Sequence, residues 1–235
     1  MIEIFIICSF IFLIYVFFYK QVNNEYSINQ VTSLEKVNDL LYDKSPIVVK
    51  GIQIPTCVLP QTLLKTQRFQ TMLGSYLEKR ENTLPYSYDF DTFIANETGF
   101  QVAGEHMWFP ILQTNMLANY ISTLKSRISF GSKPFIINNA IYTILIPIEG
   151  KYTCSLINNE NGKMLPSDLT NIYSIDSLQK NIQYIDVLLK PGNILIIPAH
   201  WYYSMKEDAP YSYYGIYEYH EPISLLQNYI DSNKQ

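Results

Sequence analysis

Residues 2–18 read IEIFIICSFIFLIYVFF, an apolar run with Glu3 near its start and Lys20 just after it. A stretch of about 17–25 apolar residues is long enough to cross a bilayer as a helix. No polar face interrupts it, as a helix packed on a soluble core would show. A cleaved leader carries a basic start and a small-residue cleavage site. Neither is present, so the pattern predicts an uncleaved single-pass anchor over 1–19. Lys20 favours a cytoplasmic domain. Residues 20–31 are polar and read as a linker. Thr32-Ser33-Leu34-Glu35 forms a capping box, and Leu34, Val37, Leu40 and Leu41 follow at helical spacing. Pro46–Ile52 is a β-branched run bounded by Gly51 and Pro55, hence a strand. Pro60 and Pro110 suit first helical turns and predict helices over 60–73 and 110–125.

Beyond about residue 127 the period changes. Short β-type runs follow one another at 128–130, 135–137, 141–148, 152–157, 184–189, 194–197, 201–205 and 211–219, separated by Gly, Asn and Pro. That density predicts a β-sandwich or barrel. Pro222 then opens a last helix over 223–230. The chain therefore divides into an anchor (1–19), a linker (20–31), a helix-and-strand part (32–126), a β-core (127–221) and a C-terminal helix (222–235).

Composition narrows the functions. The chain has 235 residues, 48% hydrophobic and 16% charged, which excludes a disordered polymer. A net charge of -4 gives no basic face for nucleic acid. Three cysteines, Cys8, Cys57 and Cys154, make no disulfide framework, and nothing in the spacing decides whether Cys57 and Cys154 pair. There are no phosphate-loop, dinucleotide-binding or GxSxG motifs. Asn96-Glu97-Thr98 matches the N-glycosylation acceptor pattern, relevant only in a secretory lumen.

Three blocks carry a resemblance. Residues 185–205, IDVLLKPGNILIIPAHWYYSM, place a Pro-Gly-Asn turn before a buried strand, a proline and an aromatic strand. Ser45–Gly51 (SPIVVKG) resembles an entry strand, and Tyr142–Leu156 resembles a hairpin with a conserved Gly-x-Lys-type turn. In that order they resemble the JmjC and cupin-like family. The fold this implies is mainly β with flanking helices, a double-stranded β-helix (a jelly roll) behind one transmembrane helix.

Active members of that family hold Fe(II) with a His-x-Asp/Glu pair and a distal His, and bind 2-oxoglutarate. By position the pair falls on Ile137 and Asn139, the distal His on Tyr203, and the co-substrate's basic partner on Tyr152. None of these is the family's residue. Residues 127–157 contain no histidine. His200 and Trp201 are the fallback candidates, but in a strand His200 and Tyr203 face opposite ways. His106 and His220, the other two histidines, lie apart in sequence. The tyrosine at 203, with the N-terminal apolar segment, is similar to cupin-like proteins of large DNA viruses, which implies a virion or host-cell membrane.

The resulting expectation is a membrane-anchored cupin-like domain without catalytic metal or cofactor, acting as a structural or interaction protein. Its partners are the lipid bilayer, through residues 2–18, and an unidentified protein. Two alternatives stay open. One is an Fe(II)/2-oxoglutarate-dependent hydroxylase with an atypical site using His200. The other is a small-molecule or sugar-binding jelly roll with tyrosines as its stacking platform. Two aromatic stripes bear on the choice. Tyr211, Tyr213, Tyr217 and Tyr219 alternate along one strand, and Trp201 and Tyr203 along another. Facing the lumen, both would fill the space where iron and co-substrate sit; facing outward, they would form an amphipathic patch; core packing is the expectation.

Overall fold

The computed structural model describes residues 2–63, 70, 71, 74, 90–113, 121–166, 168, 169, 172, 173, 182–209 and 212–232. Helix α1 (Ile2–Lys20) is followed by strand β1 (Asn29–Val31), a 3-10 turn, α2 (Val37–Leu41) and β2 (Ile47–Lys50). A second 3-10 turn leads into α3 (Pro60–Leu63), and α4 (Phe90–Glu97) and α5 (Phe100–Leu112) come next. The remaining elements are β3 (Thr123–Phe130), β4 (Lys133–Ile137), β5 (Tyr142–Glu149), β6 (Tyr152–Ile157), α6 (Asn159–Gly162), β7 (Ile185–Leu189), β8 (Asn193–Pro198), β9 (Tyr202–Glu207), β10 (Tyr213–His220) and α7 (Pro222–Ser232).

The strands form two mostly antiparallel sheets. One has six strands in the order β1-β2-β8-β5-β10-β3, the other four in the order β4-β9-β6-β7. Consecutive strands from β3 to β6, and again from β7 to β10, alternate between the sheets. Every observed strand after residue 127 overlaps an apolar run of the sequence, because Gly131, Gly150 and Gly192, all at positive φ, close the turns between them.

The period-two pattern splits β2, β5, β8 and β10 of the large sheet between two cores. Val48, Leu145, Leu195, Ile197, Tyr214 and Ile216 point to the space between the sheets, where they meet Tyr152, Cys154, Leu156, Val187, Leu189, Tyr203 and Met205. Their neighbours, including Ile47, Val49, Ile144, Ile194 and Ile196, point the other way and pack under α2, α4 and α5. A small third cluster of Phe135, Ile157 and Ile182 covers the outer face of the small sheet.

Several local expectations change. Residues 20–31 are not a free linker. Asn29–Val31 pairs in parallel with Ile47–Val49. The Tyr26 hydroxyl donates to the Gln183 carbonyl (2.5 Å), and the Asn158 side-chain amide donates to the Asn24 carbonyl (2.6 Å). Val22, Tyr26 and Ile28 pack on the inter-sheet core. The segment is thus a strap across one end of the sandwich. Ser33, rather than Thr32, caps the first turn, its hydroxyl accepting from the Glu35 amide (3.3 Å). Pro110 lies in the last turn of α5 and does not open a helix. Nor does a helix run over 110–125: α5 ends at Leu112 and Thr123 already begins β3, with 114–120 outside the described residues, as is most of 60–73.

The two aromatic stripes do not share a face. Trp201 and Tyr203 lie between the sheets, whereas Tyr213, Tyr217 and Tyr219 back onto the helices. Tyr211 is outside the described residues. Strand β10 crosses α5 through a reciprocal fit. Phe100 and Tyr217 stack at 4.3 Å, and the Tyr217 hydroxyl donates to the Phe100 carbonyl (2.8 Å). The Phe100 ring sits where a side chain at Gly215 would be, and the Tyr217 ring where one at Gly104 would be.

Candidate functional site

Two places deserve comparison: the inter-sheet space, where the resemblance puts a metal, and the junction between α1 and the domain.

The positions expected to correspond to a metal site do not converge. Tyr203 and Tyr152 are both buried between the sheets. Ile137 pairs with Tyr202, and Ile136 with Tyr203. Cross-strand partners point to the same side, so Ile137 belongs to the opposite face from Tyr203 and is 37% exposed. Asn139 lies beyond the end of β4, and its carbonyl accepts from the Tyr19 hydroxyl (3.0 Å). The residue that orders this loop is its neighbour. The Asn138 side-chain amide donates to the Ile197 and Pro198 carbonyls (2.8 and 2.9 Å), and its oxygen accepts from the Ala140 amide and the Thr143 hydroxyl.

His200 turns the β8–β9 corner in a left-handed conformation (φ 67), and its ring meets Tyr19 of α1 edge-on at 4.8 Å. It supports the helix and does not face the inter-sheet space. Trp201 is fully buried there, edge-on to Tyr26 at 6.1 Å, and its indole nitrogen has no hydrogen-bond partner among the described residues. Tyr152 and Tyr214 meet edge-on at 4.9 Å. Burial pushes the hydroxyls of Tyr152, Tyr203 and Tyr214, and the Cys154 thiol, above their usual pKa, so all four remain protonated at neutral pH. Cys57 and Cys154 form no disulfide with each other: Cys57 packs on the helix side of the large sheet and Cys154 between the sheets. His106 is exposed on α5, and Asn96 is exposed on α4.

Among the charged groups near this core, Glu218, Arg127 and His220 form a cluster that no sequence motif marks. Glu218 and His220 follow Ile216 at spacing two along β10. The Glu218 carboxylate accepts from the Arg127 guanidinium of β3, and the His220 Nε2 lies 3.8 Å from its other oxygen. His220 Nδ1 pairs with the Ser224 hydroxyl (3.2 Å). This is an ion pair, not a metal nest: among the described residues, no three His, Cys, Asp or Glu side chains group to hold a metal.

Burial alone would raise the Glu218 carboxyl, but His220 and Arg127 outweigh it and hold it below the usual range. A depressed carboxyl contributes stability above its unfolded pKa and loses it as pH falls through the folded one. Acidification below about pH 5 is therefore expected to destabilise the domain, and Glu218→Gln to flatten that dependence. Denaturant melts of both proteins from pH 7 to pH 3 check this; parallel curves would refute it.

The second place is where α1 meets the domain. The Tyr15 hydroxyl donates to the Glu221 carboxylate. The Lys44 ammonium donates to the Phe18 carbonyl, and to the Gln21 carbonyl at 2.8 Å. Lys44 thereby caps a helix end whose last carbonyls have no intrahelical partner. Burial lowers its pKa. Above these contacts, Ile4 to Leu13 stand 50–74% exposed at their large apolar residues. Between α1 and the domain lies a cavity of about 360 Å³ lined by residues of α1, the loop after α2, the start of β5, the end of β8 and the start of α7. No single sequence spacing links these elements.

No protein-family model matches the chain, and no curated protein matches it.

Proposed function

We propose that this chain is a single-pass, membrane-anchored structural or interaction module, built on a double-stranded β-helix whose interior is sealed by its own side chains. The reading of the fold is supported by the strand order. With β3 to β10 taken as eight successive strands, one sheet runs sixth-third-eighth-first and the other second-seventh-fourth-fifth. This is the winding of a jelly roll, with β1 and β2 added at one edge.

The observation that carries the functional reading is the packing between the sheets. Tyr152, Trp201, Tyr203 and Tyr214 fill the region where a family enzyme would bind iron and co-substrate. The Glu218 carboxylate beside it is already paired with Arg127. Membrane anchoring is supported by α1, which is long and apolar enough to span a bilayer. At 1.5 Å per residue its 19 residues cover about 28 Å, close to the hydrocarbon thickness.

The test uses the full chain in detergent. Fe(II) and 2-oxoglutarate are added, and both succinate release and thermal stability are followed. The proposal expects no turnover and no shift, because a ligand that binds only the folded state must raise its apparent stability. Metal-dependent turnover would overturn it and return His200 and its neighbours to consideration as a site.

A further inference from the structure

We infer that the cavity at the base of α1 binds the zwitterionic headgroup, a phosphocholine or phosphoethanolamine, of a bilayer phospholipid. The inference rests on the anchoring proposed above, and the argument is one of depth and chemistry.

Helix α1 ends at Lys20, and the cavity takes Tyr15, Phe18 and Tyr19 from its last two turns. If α1 crosses the membrane, those turns form its exit end, next to the headgroup level at which tyrosines collect. The docked domain is held there as well, since Glu221 and Lys44 bind the same two turns. The cavity therefore opens among headgroups and not into bulk water.

Its lining matches a zwitterion. One side offers the Glu221 carboxylate with the rings of Tyr15 and Tyr142. Tyr142 packs close to Glu221: burial is the first cause that raises its hydroxyl, and the field of Glu221 the second. A carboxylate beside aromatic faces is the recognition surface for a substituted ammonium. Tyr42, 74% exposed, supplies a third ring. Lys44, on the same lining, supplies the cation for a phosphate. Its ammonium is held only by neutral backbone carbonyls, and it makes no ion pair among the described residues. Glu221 likewise pairs with a neutral hydroxyl and, among the described residues, with no cation. The two opposite charges thus stand unneutralised on one cavity wall. A purely anionic headgroup would satisfy Lys44 but meet Glu221 as a like charge, so the site discriminates against it.

The experiment starts with alkaline carbonate extraction of membranes carrying the full chain. Release into the soluble fraction would overturn the anchor itself. With a retained chain, the protein is purified in maltoside micelles. Binding of diheptanoyl phosphatidylcholine, diheptanoyl phosphatidylglycerol and free phosphocholine is then measured by native mass spectrometry and thermal shift. Phosphatidylcholine is expected to bind at least tenfold more tightly than phosphatidylglycerol. Glu221→Gln should cut that preference severalfold, and Tyr42→Ala should weaken phosphatidylcholine severalfold without lowering the melting temperature of the lipid-free protein. Equal binding of the two lipids, or variants indistinguishable from the parent, would overturn the inference. Free phosphocholine binding as tightly as the lipid would overturn the bilayer as the ligand's source.

Discussion

Gly104→Val is expected to cost the domain about 3 kcal/mol, a fall of about 6–12 °C in melting temperature for a chain of this size. Gly104 lies inside α5, where replacing glycine ordinarily helps a helix by up to about 1 kcal/mol. Here the opposite sign wins. A Cβ at this position would stand 2.0 Å from the Tyr217 ring. That ring cannot retreat: it is fully buried, stacked on Phe100, and tied by its hydroxyl to the Phe100 carbonyl. Gly215 is the mirror case, with Phe100 at 2.2 Å from its absent Cβ. Either substitution must push the helix off the sheet. Val102→Ala, exposed on the same helix, is expected to stay within about 0.5 kcal/mol. Thermal melts followed by near-ultraviolet circular dichroism decide the matter, and an unchanged midpoint for Gly104→Val would show that α5 does not pack on β10 in this way.

Trp201→Ala is expected to cost about 3–5 kcal/mol, and Trp201→Phe less than half of that. The indole is fully buried between the sheets and touches Tyr26 of the strap, so truncation removes packing from both the sandwich and the segment that closes it. Phenylalanine keeps a ring in place. It also removes an N–H that is desolvated without a partner among the described residues, which offsets part of the lost contact. Urea denaturation of the full chain in detergent measures both. A small loss for Trp201→Ala would mean that the inter-sheet space is loosely filled, and would revive the small-molecule-binding alternative.

The β-core was legible because each strand is a short apolar run ended by Gly, Pro or Asn, with side chains alternating between two buried faces. The same alternation showed that the tyrosines are core but not which core they join. Both faces of β10 are buried, so a stripe on it need not face the inter-sheet space, and Tyr217 faces a helix instead. Strand β1 was missed because Asn29-Gln30-Val31 looks polar; its pairing with β2 comes from the tertiary fold. Helix α5 begins at Gly99, which has no capping side chain, and contains Pro110, so its ends carry misleading signals. The ion pair at Glu218 could have been found: spacing two puts Glu218 and His220 on one face, and Arg127 is one of three arginines in the chain. The cavity under α1 could not. Tyr15, Lys44, Tyr142 and Glu221 meet only after α1, the α2–β2 loop, a central strand and the start of the last helix have been assembled.

Strand β10 is the last strand of the chain, yet it sits inside the large sheet between β5 and β3. Synthesis delivers β10 after every other described strand, so β3 and the β10-facing edge of β5 stay unpaired until the others have emerged. Pairing over such separations is slow, because the loop must close before any contact rewards it. On the anchored reading, the half-built sheet waits beside the bilayer with two apolar edges open, the situation in which strands pair with the wrong chain. Tethering by α1 spreads these nascent domains across a surface, and the rate of β10 insertion then sets how long each stays vulnerable.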